Sequence, residues 1–374
     1  QVTYQHNAAR QLTKIELPGL GLITQTRQKN QTQTQTLYPG GTTAQAQQDA
    51  LNRIARIQVL SPVHNTLMRH DYRHDPSGNV LEQQDTGGAT TYGYDPLNRL
   101  TQATYAYGGE DKYTYDSVHN RITDSSAPGE WKYNENNQLV NQGPDTTWSY
   151  DKNGQAVERK TGASTRTYLY NPENRLEEVK DNGATLAKYS YDPFGRRIKK
   201  EVTKDGKTTV TWYLYADEGL IAELDETGNI QTQYGWTPDG LWGTAPLFKL
   251  DKDKDTKKNT LYAYHHDQLG TPQLLTDLNG KVVWSQKQRA FGQMTIDPSS
   301  TVTNNLRFAG QYFDAEAGTH YNFFRDYEPA IGRYIQSDPI GLDGGENLYL
   351  YADGQPTTLI DPTGENPAVI RAAI

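Results

Sequence analysis

A four-residue unit recurs along this chain: an aromatic, any residue, an aromatic or His, then Asp or Asn. It reads Tyr72-Arg73-His74-Asp75, Tyr92-Gly93-Tyr94-Asp95, Tyr113-Thr114-Tyr115-Asp116 and Trp131-Lys132-Tyr133-Asn134. It continues as Trp148-Ser149-Tyr150-Asp151, Tyr168-Leu169-Tyr170-Asn171 and Tyr189-Ser190-Tyr191-Asp192. The third position falls at 74, 94, 115, 133, 150, 170 and 191, at intervals of 17 to 21 residues. Self-similarity at so regular a period requires a repeat architecture, in which each unit buries its apolar face only against its neighbours.

Each unit reads as a β-hairpin. Aromatics two apart project from one face of a strand. Asp75-Pro76-Ser77-Gly78, Asp95-Pro96-Leu97-Asn98, Asp151-Lys152-Asn153-Gly154 and Asp192-Pro193-Phe194-Gly195 are turns. In these turns Asp bonds the backbone, Pro fixes φ, and Gly or Asn tolerates positive φ. Arg99-Leu100, Arg121-Ile122, Arg175-Leu176 and Arg197-Ile198 open the return strands. A lone hairpin is unstable, so neighbours pair edge to edge into one long antiparallel sheet. The tyrosines are expected to stack in rows, repeat on repeat, with almost no helix before residue 300.

Only 34% of the 374 residues are hydrophobic, a level that alone would suggest disorder. The 26 tyrosines resolve this, because each offers apolar area and a polar tip to a sheet wet on one side. The polar run 31–36 is expected to be a strand or edge insertion, and the charge run 251–258 a solvated loop. A net charge of −8 argues against nucleic acid as the main partner. No run of about 20 apolar residues offers a membrane span. The absence of cysteine excludes disulfide and thiol chemistry. His265-His266-Asp267 is a poor metal chelate, since adjacent strand residues face opposite ways. No metal and no cofactor is expected.

The repeats resemble the YD repeats of Rhs and teneurin-type proteins. After about residue 260 the sequence changes character. Tyr264-His265-His266-Asp267, Trp284 and Phe291-Gly292 resemble the start of the Rhs-associated core. The segments 306–314, 320–327 and 332–342 resemble its body, and Asp361-Pro362-Thr363-Gly364 its close. The resemblance implies an all-β fold: a YD-repeat hairpin sheet curved into a shell or barrel, with an inward-turned C-terminal plug. It divides the chain into shell wall (1–260), core and plug (261–364), and the start of a cargo or linker (365–374).

In this family the core acts as an intramolecular aspartyl protease that frees a variable C-terminal toxin. Carried over by motif, Asp338 and Asp361 are the acid pair and Arg333 the supporting cation. Arg325, Gly341 and Gly364 are structural residues of the plug. The cleavage region is Gly364, Glu365 and Asn366. Two close carboxylates cannot readily both ionise, so one keeps a proton while the other activates water. Arg325 and Arg333 are expected to be buried and paired with acids.

The chain departs from the family in two places. One extra residue separates the two Asp-Pro-x-Gly tetrapeptides, and Glu365 stands where Leu is usual. Asp-Pro-x-Gly is also an ordinary turn, as at Asp75, Asp95 and Asp192.

The implied partners are the chain's own C-terminal toxin domain, the remaining N-terminal shell, and a secretion apparatus such as a type VI machine, or a chaperone. The implied setting is a secreted or injected bacterial effector, and the N-terminus opens inside a repeat without a signal segment. Two other classes stay open: a cell-surface adhesion module without proteolysis, and a glycan-binding or hydrolytic β-repeat protein.

Overall fold

The structure is a computed structural model that describes residues 2–27, 32–238, 240–253, 256 and 258–369. Twenty-eight strands, from Thr3–His6 to Met294–Ile296, form one antiparallel meander. Each strand pairs with the next in sequence; Tyr168, for example, lies opposite Val179 and Tyr189 opposite Lys200. Among the described residues, helix is confined to two short 3-10 turns, Gly341–Gly344 and Ala352–Gly354. The run from Gln33 to Leu37 is an internal strand, paired on both sides rather than lying at an edge. Residue 31 lies outside the described residues. So do 254, 255 and 257 of the charge run, whose first two residues end a strand at Lys252.

The repeating unit explains its own geometry. In most of the turns the Asp or Asn side chain accepts two backbone amides: Asp95 Oδ1 takes Leu97 and Arg99 at 2.9 and 3.0 Å. Asp192 does the same with Phe194 and Arg196. The fourth turn residue sits at positive φ, 63° at Asn98 and 81° at Gly195, which is why Asn or Gly stands there. The third-position tyrosine ties one repeat to the one before. Tyr94, Tyr115, Tyr133, Tyr170, Tyr191 and Tyr215 donate to the carbonyls of Val80, Leu100, Arg121, Ala156, Leu176 and Arg197, all between 2.6 and 2.8 Å. Each such bond contributes about 1 kcal/mol net.

First-position aromatics point inward. Tyr113, Trp131, Trp148, Tyr168, Tyr189 and Tyr213 are buried. The expected rows of rings form in a different way. Trp148 and Tyr168 stack directly, with centroids 6.5 Å apart, but elsewhere guanidinium groups are interleaved. Arg121 lies 4.5 Å from the Tyr113 centroid and 5.6 Å from Trp131. Arg197 lies between Tyr189 and Tyr213. A cation between two ring faces gains from both quadrupoles, which a second ring does not.

The sheet coils back on itself. Tyr38 donates to the Tyr264 carbonyl across 226 residues, and Ile15, Leu17 and Ile23 share a core with Leu247, Phe248 and Leu261. Gly40 meets Leu278 so closely that a Cβ would lie 1.7 Å from its carbonyl oxygen. Gly40→Ala should therefore cost about 2–4 kcal/mol, combining positive-φ strain with displaced backbone. Gly78, at positive φ with open space around it, is the control: Gly78→Ala carries only the strain. Equal losses in urea unfolding for the two variants would contradict a tight contact between coils.

After Ile296 the chain leaves the wall. Tyr312–Asp314, Thr319–Asn322, Arg325–Glu328 and Arg333–Tyr334 make a separate four-stranded sheet. This plug packs on the aromatic face of the wall, with Ala317, Ile331 and Ile335 among Trp131, Trp148, Tyr168 and Tyr189. Buried Asp314 anchors it, accepting Arg197 through both carboxylate oxygens and Lys200 at 2.8 Å.

Candidate active site in the plug

The site is built on one face of the plug sheet. Tyr327 and Tyr334 are cross-strand partners, and Arg325, two residues before Tyr327, projects from that same face. The Arg325 guanidinium lies 3.7 Å from the Tyr334 ring centroid. Its Nη2 contacts Asp338 Oδ2 at 2.9 Å and Asp361 Oδ2 at 3.4 Å, so both predicted acids meet on one nitrogen. Its Nη1 donates to the Leu348 carbonyl and its Nε to the Gly364 carbonyl. All three side chains are buried.

Asp338 opens a turn closed by Gly341, whose amide donates to the Asp338 carbonyl at φ 62°. Asp338 Oδ1 accepts the Ile340 amide at 3.1 Å. Burial, the largest influence, raises its pKa, and the charge of Asp361 raises it further; Arg325 and the Ile340 amide oppose this.

Asp361 follows the short strand Leu359–Ile360, which pairs with Ala368–Val369. Residues 361–367 form the loop between those strands. Asp361 Oδ1 accepts the amides of Gly364 and Glu365 at 2.9 and 3.0 Å, and Oδ2 accepts the Tyr334 hydroxyl at 2.9 Å. Gly364 sits at φ 75°, and a Cβ there would lie 2.6 Å from the Asn322 carbonyl oxygen. At Gly344 a Cβ would lie 2.6 Å from Asp338 Oδ2 and 3.2 Å from the Glu365 carbonyl oxygen. The Glu365 carbonyl therefore stands beside the Asp338 carboxylate, and glycine keeps the space between them open. The Glu365 carboxyl is itself raised, by burial and then by the two aspartates. Asn366 is exposed, and residues 370–374, the rest of the apolar tail, lie outside the described residues.

Arg333 is placed elsewhere than expected. Its guanidinium donates to the Asn137 carbonyl at 2.6 Å and to Asn120 Oδ1 at 3.4 Å, against the Tyr133 and Tyr349 rings. It is buried, but its partners are wall amides rather than acids. The cause is strand alternation: Arg333 and Tyr334 are adjacent, so when Tyr334 faces Asp361, Arg333 faces away. Sequence reading also missed Asn322, Tyr334 and Gly344. Alternation from Tyr334 across to Tyr327 would have singled out Arg325 as the cation.

The sequence profile of the Teneurin YD-shell family matches residues 17–344. The chain belongs to the YD-shell family. Among curated YD-shell relatives it is 31% identical over 320 residues to "Double-stranded DNA deaminase toxin A" of Burkholderia cenocepacia (strain H111), covering 79% of this chain and 22% of that protein. It is 28% identical over 338 residues to "Toxin protein Tse5" of Pseudomonas aeruginosa, covering 78% of this chain and 25% of that one. The YD-shell chain thus spans about a quarter of these relatives' length. Its fold matches the Photorhabdus luminescens Tc holotoxin pore with a TM-score of 0.78 at 19% identity, covering all of this chain and 20% of that one. It matches the crystal structure of TcdB2-TccC3-TEV with a TM-score of 0.75 at 20% identity, covering 97% and 20%.

Proposed function

We propose that this chain is the closing part of a shell around a toxin domain carried C-terminal to it, and that the plug frees that domain by hydrolysing the Glu365–Asn366 bond. One observation carries the reading: Asp338 and Asp361 converge on Arg325 Nη2 while the backbone of 364–365 is held against all three. Water adds to the Glu365 carbonyl carbon, the C–N bond to Asn366 breaks, and a carboxyl and an amine result. Because the bond is tethered in place, a modest site suffices for a single turnover. Arg325, not Arg333, is the cation of this reading.

The names of the relatives, a deaminase toxin and a toxin protein, support a cargo of that class. On this reading the wall runs past the expected boundary at 260 to Ile296, the plug follows and ends at Glu365 rather than at 364, and the cargo begins at Asn366 rather than at 365. The partners are that cargo, the rest of the shell, and a secretion apparatus or chaperone, and the protein is a secreted or injected bacterial effector. The adhesion and glycan-binding classes draw no comparable support, since the built constellation lies in the plug.

The test is the full-length protein. It should run as two fragments in denaturing electrophoresis yet elute as one species in native gel filtration, separating only in urea. A single intact chain would remove the proteolytic part of the reading. A fragment that diffuses away in native buffer would remove the container.

A further inference from the structure

We infer that the two plug acids are not interchangeable: Asp361 is a fixed acceptor that holds the cleaved segment, Asp338 alone carries the proton, and the Asn322–Tyr334 pair enforces the division. This rests on the proteolytic reading above.

The hydrogen-bond polarity is set at the Asp361 backbone carbonyl, which can only accept. Asn322 Nδ2 donates to it at 2.8 Å and to the Tyr334 hydroxyl at 2.7 Å. Turning the amide over would set Asn322 Oδ1 against that carbonyl. The Tyr334 oxygen therefore accepts a hydrogen bond from Asn322, and its own O–H is left to donate to Asp361 Oδ2. Arg325 Nη2 reaches the same oxygen, and the Gly364 and Glu365 amides fill Oδ1. Every partner of the Asp361 carboxylate is a donor, so a proton placed on either oxygen would meet another proton.

Asp338 is different. It has one amide on Oδ1, Arg325 on Oδ2, and open space toward the Glu365 carbonyl. The other ionisable groups around the pair are Glu365, with Arg175 beside it, and Tyr351 and Asp353 on the Asp361 side.

The step then runs through one carboxyl. Arg325 Nη2 contacts both carboxylates and offsets the repulsion that would otherwise keep one of them protonated, so ionised Asp338 takes a proton from water as the water oxygen bonds the Glu365 carbonyl carbon. It returns that proton to the Asn366 nitrogen as the C–N bond breaks. Asp361 acts in this step only as an acceptor and orients the Gly364 and Glu365 amides, which precede the scissile carbonyl. Tyr334 and Asn322 are positioning residues, acting through Asp361.

The test is the pH profile of cleavage in full-length protein made by pulsed cell-free synthesis and diluted into buffers from about pH 5 to about pH 9. Intact mass follows the fragment that begins at Asn366. A single carrier acting first as a base gives a rate that climbs with pH, about tenfold per unit, and then levels. A rate that climbs and then falls would mean that a second group must keep a proton, and a rate that only falls through that ionisation would mean that protonated Asp338 is the working form; either would overturn the inference and leave proteolysis standing. Absence of the fragment at every pH, or its release by Asp338→Asn, would instead remove the proteolytic reading itself. Tyr334→Phe keeps the ring but bares Asp361 Oδ2 to a proton. It should slow cleavage about tenfold or more and add a second ionisation to the profile. An unchanged profile would overturn the role given to Tyr334, because a purely structural role alters the folded yield and not the ionisations.

Discussion

Asp338→Asn should leave the full-length protein uncleaved and folded. The substitution is nearly isosteric and keeps the oxygen that accepts the Ile340 amide. It removes the carboxyl that stands beside the Glu365 carbonyl and that would take and return the proton. The expected loss is at least about 10²–10⁴-fold in cleavage rate, enough to turn release during expression into a precursor that persists. Folding should suffer little, about 1–3 kcal/mol, because the new amide faces Arg325 donor to donor. Normal processing in this variant would reduce Asp338-Pro339-Ile340-Gly341 to the turn that its sequence also describes.

Asp314→Ala should be the largest disturbance to the plug itself. The Asp314 carboxylate is fully buried and receives both Arg197 and Lys200 from the wall. Burial alone would raise its pKa, but the two cations hold it below the ordinary carboxylate value. Removing it strands the buried Arg197 guanidinium and leaves Lys200 with Glu316 alone, at 3.3 Å, at a cost of about 3–5 kcal/mol. Because the lost partner sits on the plug and the two cations on the wall, the effect should appear as plug release. Limited proteolysis should open sites between residues 306 and 364 before it cuts the repeats. A loss below about 1 kcal/mol, the range of an exposed pair, would show that this cluster does not clasp the plug.

The wall was legible in the sequence because its information is local and repeated. The Asp or Asn of most turns bonds residues two and four places on, and Tyr115 or Tyr191 reaches only the preceding repeat. Spacing alone carries such contacts. Arg121 and Arg197 were read as strand openers, yet they also occupy the gaps between aromatic rings. That use depends on side-chain reach, which a period does not encode. In the plug, the motif located the two acids but not their cation. Arg333 came with the motif, five residues before Asp338, but a motif's spacing does not set which way a strand residue faces. The adjacent Tyr334 contains the correction, since one of two neighbouring strand residues must face away. Asn322 and Gly344 left no signal of their own. One acts through the polarity of its amide and the other through the absence of a Cβ, and both become visible only when the chain around them is folded.

The most direct measurement is the mass of the fragment released from the full-length protein, purified without added protease. A break between Glu365 and Asn366 gives a shell piece ending at Glu365 and a partner whose first residue is Asn366, with the broken bond next to the amide that Asp361 holds. That is the predicted result. An intact chain, or a break outside the loop 361–367, would contradict the account of the plug as a self-cleaving closure.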